Sequence, residues 1–177
     1  MKNDLNDSPR PDDHHREESI DPRASIGHIH LKVANLERSV KFYTEVLGFR
    51  VTTRFGTSAA FLSAGGYHHH IGLNTWESEG GNPPSSDSTG LYHFAILVPT
   101  RKELARALKR LTEHRWPLDG ASDHGVSEAV YLRDPDENGI EIYTDRPQSE
   151  WPRDPHGTIV MFTRPLDIDS LLADADR

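Results

Sequence analysis

Two histidines and one glutamate stand where the chain could hold a metal ion. His28, His93 and Glu141 each lie in a stretch that alternates polar with branched apolar residues. If the apolar residues of these strands face helices, the three polar side chains point to the opposite side of the sheet. Two imidazoles and one carboxylate on rigid strands form the ligand set of a facial triad, which leaves open positions on a metal such as Fe(II). The pattern therefore predicts a metal site made by these three residues.

A run of three histidines, 68–70, precedes a short alternating apolar stretch. Continuing the alternation of Ile71 and Leu73 backwards sends His68, His70 and Gly72 to the ligand-bearing face and turns His69 away. Tyr131, between Val130 and Leu132, is predicted on the same face. We expect His68 to be solvated at the sheet edge and His70 to lie near the metal.

The strands that carry these residues belong to an internal repeat. The alternation and the helical stripes predict a β-α-β-β-β order that occurs twice, with His28 and His93 at the same place in each copy. Strands are expected at 26–33, 49–54, 59–63, 68–74, 91–98, 118–122, 129–133 and 139–144. Helices are expected at 36–47, closed by Gly48, and after Thr100, where Thr100 and Glu103 form a capping box.

Composition divides the chain into five segments. We predict a disordered N-terminal arm at 1–24, a first βαβββ module at 25–76, a linker at 77–89 and a second module at 90–146. The remaining residues, 147–177, form a C-terminal extension that packs back on the domain, through 157–163 and a short helix at 168–173. The predicted fold class is α+β, with two tandem modules that pair their sheets into a cupped, barrel-like metal site with helices outside.

Composition also excludes several functions. The net charge is −8 and no cysteine is present, which argues against nucleic acid as a partner and excludes disulfides, zinc fingers and thiol nucleophiles. The sequence contains no apolar run long enough to span a membrane and no signal-peptide pattern. We therefore expect a soluble, cytoplasmic protein.

Three segments carry a resemblance to a known superfamily: GHIHLKVANLERS (27–39), HHHIGLNTW (68–76) and DHGVSEAVYLRDPDENGIEIY (123–143). They resemble the vicinal oxygen chelate superfamily of glyoxalases, bleomycin- and fosfomycin-resistance proteins and extradiol dioxygenases, in particular its catechol 2,3-dioxygenase-like members. The resemblance covers about residues 25–165. It implies four ligand positions, which fall here on His28, Gly72, His93 and Glu141.

The vacant fourth position separates the activities that the superfamily hosts. Glycine cannot bind a metal, so Gly72 disfavours a glyoxalase-like isomerase, whereas extradiol ring-cleaving enzymes use three ligands. The resemblance to that group implies that His70 is the acid–base residue and that Tyr131 and His124 line the pocket. It implies a dioxygenase that cleaves a catechol-like aromatic with Fe(II) and O₂, with Phe61 as an apolar wall.

Other functions remain open at this point. Another metal enzyme of the same fold, such as an isomerase, a lyase or a fosfomycin-type thiol transferase, fits the same ligand set. A binding protein that keeps the pocket without turnover is a third possibility. Mn(II) or another divalent metal could replace Fe(II). Exposed sheet edges favour a homodimer.

Overall fold

The computed structural model describes residues 20–176, so residues 1–19 of the predicted N-terminal arm lie outside it. The described chain contains two sheets and three α-helices, and the first helix continues as a π-helical turn, Phe42–Val46. The strands are β1 Ile29–Lys32, β2 Arg50–Phe55, β3 Ala59–Ser63, β4 Ile71–Asn74, β5 Phe94–Leu97, β6 Gly120–Asp123, β7 Ser127–Arg133, β8 Gly139–Asp145 and β9 Arg164–Pro165. The helices are α1 Leu36–Lys41, α2 Arg101–Glu113 and α3 Ile168–Leu172.

Both sheets have the same internal topology. The first runs in the order β1-β4-β3-β2 and the second in the order β5-β8-β7-β6-β9. In each, the first strand pairs in parallel with the last strand of its module, and the hairpin strands pair antiparallel. The predicted α+β class with a repeated βαβββ order is thereby confirmed.

Several predicted elements differ from the structure. β1 begins at Ile29 and β5 at Phe94, so His28 and His93 lie just before their strands. β4 begins only at Ile71, so residues 68–70 belong to the connection before it. Residues 157–163 contribute one isolated bridge, between Arg153 and Ile159, and the strand of the extension follows at Arg164–Pro165, where it pairs with β6. Pro152, Pro155 and Gly157 interrupt this segment, which limits a regular ladder.

The helix ends follow from local chemistry. Asn35 accepts a hydrogen bond from the Arg38 backbone N–H at 2.9 Å, and Thr100 accepts one from the Glu103 backbone N–H at 3.3 Å. The Glu103 carboxylate binds Arg106 at 2.6 Å, so only the Thr100 half of the predicted capping box is present. Gly48 ends the first helical segment with φ +86°, a conformation that glycine adopts without strain.

A buried polar joint connects the two modules on the helix side of the sheets. Asp136, in the turn between β7 and β8, accepts hydrogen bonds from the Ala34 backbone N–H at 3.0 Å, from the Ser39 hydroxyl at 3.0 Å and from Arg38. Tyr43 donates to Asp134 in the same turn at 2.9 Å. Tyr43, Asp134 and Asp136 are 0%, 2% and 7% exposed, so these bonds form out of water, where they are costly to break.

The apolar core lies on that same side. Buried leucine, valine and isoleucine side chains from both sheets, from α1 and from α2 form one continuous cluster. The Phe42 ring lies 4.5 Å from that of Trp116, across the joint between the modules. Because each sheet buries its branched apolar residues against helices, the opposite face of each sheet stays open. The ligand candidates lie on these two open faces.

The C-terminal extension packs against α2. Leu171 of α3 is fully buried, and Arg101 at the start of α2 binds both Asp174 and, at 2.6 Å, the Glu128 carboxylate of β7. No helix formed by residues 20–176 combines the length and the apolar composition needed to cross a bilayer.

Candidate functional site

The open face of the second sheet carries a hydrogen-bonded row of four side chains, which we call the second half-site: His93, Glu141, Tyr131 and His124. His93 Nε2 lies 3.1 Å from Glu141 Oε2, and the Tyr131 hydroxyl donates to Glu141 Oε1 at 2.8 Å. His124 Nε2 lies 2.7 Å from the Tyr131 oxygen. His93, Tyr131 and His124 line a cavity of about 470 Å³.

Strand register positions three of these residues. Glu141 of β8 stands directly opposite Tyr131 of β7, and its neighbour on the other side, in β5, is Ala95. Directly opposite residues on adjacent strands have their Cβ atoms about 5 Å apart, so the phenol reaches the carboxylate without distortion. The small side chain of Ala95 leaves the second carboxylate oxygen free to meet His93, which lies just before β5.

The C-terminal extension positions His124. A backbone carbonyl can only accept, so His124 donates through Nδ1 to the carbonyl of Phe162 at 2.9 Å. This assigns a proton to Nδ1 and directs Nε2 toward Tyr131. The sequence predicted His124 but missed the Phe162 carbonyl, because no sequence pattern shows which backbone group of an irregular tail reaches a side chain.

The row can carry a proton between His124 and Glu141. While Glu141 is ionised, the single phenol proton of Tyr131 is donated to it, and His124 must then donate through Nε2 as well as Nδ1. If Tyr131 instead donates to His124, Glu141 must carry a proton and donate to the phenol oxygen. One proton has then passed from His124 to Glu141. Burial raises the pKa of Tyr131 above its usual value of 10.0, and the bond to Glu141 raises it further, so the phenol keeps its proton at neutral pH.

The open face of the first sheet carries a cluster of aromatic rings around His28, which we call the first half-site. The His28 ring lies 4.4 Å from that of His69 and 6.4 Å from that of His68. The Phe61 ring lies 5.0 Å from His69 and 5.7 Å from His30. Burial lowers the pKa of His69, and the neighbouring imidazoles of His28 and His68 lower it further.

His69 therefore lies beside His28, whereas the alternation predicted that it turns away. The prediction was wrong because residues 68–70 precede β4, and side chains alternate faces only where the backbone is extended as a strand. His68 is exposed, as expected, although its Nδ1 lies 2.7 Å from the Nδ1 of His69.

His70 is oriented by β3. Its Nδ1 lies 3.0 Å from the Ser63 hydroxyl and accepts a hydrogen bond from the Ala64 backbone N–H at 3.3 Å. An accepting Nδ1 leaves the proton of the neutral ring on Nε2. The Ser63 hydroxyl can both donate and accept, so it can also accept from an Nδ1–H. That tautomer gives up the bond from the Ala64 N–H and leaves Nε2 free to take a proton.

Gly72 makes room for His30. The two residues are opposite one another in the parallel ladder of β1 and β4. A Cβ atom added at Gly72 would lie 2.9 Å from the His30 ring, closer than real Cβ contacts allow. The position of the vacant fourth ligand is thus covered by an imidazole from the neighbouring strand.

The structure does not bring the three predicted ligands together. His93 and Glu141 are adjacent in the second half-site, but His28 lies in the first, and residues 20–176 contain no group of three or more His, Asp or Glu side chains close enough to hold a metal. Every residue that lines the second half-site cavity falls between Tyr92 and Thr163.

Comparison with known proteins identifies the family. The model of the Glyoxalase/Bleomycin resistance protein/Dioxygenase superfamily matches residues 25–142. The chain belongs to this superfamily.

Named members of the superfamily resemble the chain over much of its length. Catechol-2,3-dioxygenase of Bacillus subtilis (strain 168) is 48% identical over 162 residues, which cover 89% of this chain and 54% of that protein. Biphenyl-2,3-diol 1,2-dioxygenase 3 of Rhodococcus globerulus is 30% identical over 128 residues, 72% of this chain and 65% of that protein. The chain thus spans between about half and two thirds of the length of these two relatives.

A solved structure confirms the fold. A glyoxalase/dioxygenase from Nostoc punctiforme superposes with a TM-score of 0.58 at 21% sequence identity, over 81% of this chain and all of that one. At this identity the likeness establishes the superfamily fold and leaves the reaction open.

Proposed function

We propose that the protein is a ring-cleaving dioxygenase that opens a catechol-like aromatic with Fe(II) and O₂. The observation that carries the proposal is the second half-site, where Glu141 meets His93 through one oxygen and Tyr131 through the other. The similarity to a protein named Catechol-2,3-dioxygenase supports the same reaction class.

The donor atoms of the second half-site fit a divalent metal. His93 Nε2 and Glu141 Oε2 lie 3.1 Å apart and are donor atoms of the types that would hold a divalent metal. Tyr131 orients the carboxylate through its other oxygen, as partners of metal ligands commonly do. Fe(II) is the proposed metal, with Mn(II) as the alternative. His93 and Glu141 would hold it, and His28, the third ligand that the resemblance implies, lies in the first half-site.

The bound iron would supply the electron transfer that dioxygen chemistry requires. The protein residues would supply binding and proton transfer. His70 would take a hydroxyl proton from the catechol through Nε2 and later return one, in the tautomer whose Nδ1–H donates to the Ser63 hydroxyl and gives up the bond from the Ala64 N–H. On substrate binding, Tyr131 would redirect its single hydroxyl proton from Glu141 to a substrate oxygen, while His124 donates to the phenol oxygen. Gly72 supplies no ligand, the His30 ring fills the space over it, and Phe61 stands beside it as an apolar wall.

An oxygen-electrode screen over catechols, after anaerobic loading with Fe(II), tests the proposal. We expect oxygen uptake and bound iron in the wild type. His93→Ala and Glu141→Ala should each reduce both by more than about 100-fold, because even the loss of a residue that orients a ligand costs 10–100-fold. His156→Ala, an exposed histidine of the extension, is the matched control and should match the wild type.

Two results would contradict the proposal. A protein that binds Mn(II), Ni(II) or Zn(II) in preference to Fe(II) and consumes no oxygen would be an isomerase, lyase or thiol transferase of the same fold. A protein that binds no metal after anaerobic loading would be a small-molecule binding protein.

A further inference from the structure

The C-terminal extension reaches the second half-site through Phe162. The match to the superfamily model ends at residue 142, so Phe162 lies outside the matched part of the chain. β9 adds a strand beyond β6, with Asp123 opposite Arg164. Continuing this register by two residues brings Phe162 opposite Gly125, next to His124 in the turn between β6 and β7.

The Phe162 side chain lies in a small ring pocket formed by Gly125, Pro152 and Arg164. A Cβ added at Gly125 would lie 2.7 Å from Phe162 Cε1 and 3.0 Å from Pro152 Cγ, so the ring packs directly on the glycine backbone. The Arg164 guanidinium covers the ring at 4.2 Å from its centroid, a cation–π contact. Gly125 is buried with φ +78°, and glycine both tolerates this conformation and leaves space for the ring.

The ring pocket fixes the Phe162 backbone against His124. The Phe162 N–H donates to the His124 carbonyl at 3.3 Å, and the Phe162 carbonyl accepts from His124 Nδ1 at 2.9 Å. The Thr163 hydroxyl lies 3.4 Å from the same nitrogen, near the limit for a hydrogen bond. The carbonyl is therefore the main partner of Nδ1, and its position depends on where the Phe162 ring is held.

The turn that carries His124 is also held independently of the extension. Arg146 donates to the Asp123 carboxylate at 3.0 Å, and Asp123 accepts from the Gly125 N–H at 2.8 Å. The His124 N–H donates to the Ser127 carbonyl at 2.9 Å. None of these three bonds involves the extension. Removal of the ring should therefore leave the turn folded and deprive the imidazole of its fixed partner.

We infer that Phe162 is a positioning residue of the ring-cleaving site: its ring places the carbonyl that keeps a proton on His124 Nδ1 and directs Nε2 to Tyr131. Among the described residues that line the second half-site cavity, the extension contributes Thr163 and not Phe162, so Phe162 acts through His124. The consequence for catalysis rests on the proposed function, whereas the placement of the proton does not.

The proton on His124 Nδ1 can be observed by NMR in the metal-free full chain labelled with ¹⁵N at histidine. In the wild type we expect a one-bond N–H cross-peak at this nitrogen, identified by its loss in His124→Ala. Nδ1 is distinguished from Nε2 because only Nε2 lies two bonds from both carbon-bound ring protons. Phe162→Ala and Gly125→Ala should each abolish the cross-peak, because the proton loses its fixed acceptor and exchanges with water.

Two further variants are matched controls for this measurement. Met161→Ala changes the neighbouring residue, whose side chain is 64% exposed, and should keep the cross-peak. Gly157→Ala places a side chain at a similar φ, +84°, with no atom within 4 Å, so it reproduces the backbone strain of Gly125→Ala without touching Phe162. It should also keep the cross-peak.

Two results would overturn the inference whatever the reaction. One is a wild-type His124 without a proton on Nδ1, which needs no folded variant to observe. The other is a cross-peak that survives Phe162→Ala unchanged; its loss in Thr163→Val would then make the Thr163 hydroxyl the partner.

Oxygen uptake tests the consequence for catalysis. With a catechol that the wild type cleaves, Phe162→Ala should lower kcat by about 10-fold, the lower end for a residue that orients a partner in a site. In a His124→Ala background the same change should cost nothing further, since Phe162 acts through that imidazole. An additive loss would give Phe162 a merely structural role and overturn the inference. A wild type that shows the Nδ1 cross-peak but consumes no oxygen with any catechol would contradict the proposed function alone.

Discussion

The two open faces are repeats of one another in which a small and a large residue have changed places. On the first face His30 of β1 stands opposite Gly72 of β4. On the second face, Ala95 of β5 stands opposite Glu141 of β8 at the corresponding point of the ladder. Each cross-strand pair thus combines one large polar side chain with one small residue. In the first module the large residue is on the edge strand, and in the second it is on the inner strand.

This exchange explains why the carboxylate ligand belongs to the second module. On an inner strand Glu141 has a neighbour on both sides: Tyr131 binds one oxygen, and the small Ala95 leaves the other free for His93. On the first face the corresponding inner-strand residue is Gly72, and Phe61 takes the place of Tyr131. The second face is therefore organised by hydrogen bonds, and the first by ring contacts around open space.

The Tyr131 hydroxyl should give the largest difference between the faces. Tyr131→Phe removes the only group that joins His124 to Glu141, and we expect the rate of oxygen uptake to fall by about 10- to 100-fold, as for other partners of metal ligands. The matched change on the first face, Phe61→Tyr, adds a hydroxyl that has no carboxylate opposite it and should lower the rate less. Equal losses in steady-state oxygen uptake for the two variants would mean that the row has no special role.

Glycine-to-alanine changes should give the next largest difference between the two faces, in the free energy of unfolding. A Cβ at Gly139 would lie 2.2 Å from the Tyr92 backbone oxygen and 3.0 Å from the His93 Cβ, so the backbone that carries the ligand must move. We expect Gly139→Ala to lower the free energy of unfolding by about 1–3 kcal/mol, the usual range for overpacking.

A glycine-to-alanine change on the first face, Gly72→Ala, should be milder. At Gly72 the new Cβ meets the side chain of His30, which is exposed and can rotate away. Gly72→Ala should therefore destabilise the protein less than Gly139→Ala in urea denaturation, and His30→Ala should remove the remaining cost. A greater loss for Gly72→Ala would show that the His30 ring is held rigidly in place.

The smallest expected effect is at Ser63. Ser63→Ala removes the hydroxyl that orients His70, a hydrogen bond with a net value of about 1 kcal/mol. We expect the rate to fall by about 10-fold or less, the lower end for an orienting partner. In a His70→Ala background the same change should have no further effect on the rate. An additive loss would indicate that Ser63 acts independently of His70.

Much of this organisation was predictable because it depends on local periodicity. Alternation predicted the strand that carries Glu141 and the strands that begin just after His28 and His93, and the repeat predicted that the two sheets share a topology. Tyr131 could be assigned to the same face as Glu141 because both lie within regular strands. His69 could not be assigned, because the alternation was extended beyond the first residue of β4.

Sequence alone determined the fold class, the equivalence of the two modules and the faces of residues within regular strands, since these follow from residue type and from the two-residue period of a strand. Only the tertiary structure decided how the modules meet. The buried bonds of Asp134 and Asp136 join them on the helix side, and the Phe162 carbonyl orients His124 from a distant tail. Such contacts join residues far apart in the chain, and no periodic pattern records them, which is why the separation of His28 from His93 and Glu141 became visible only in three dimensions.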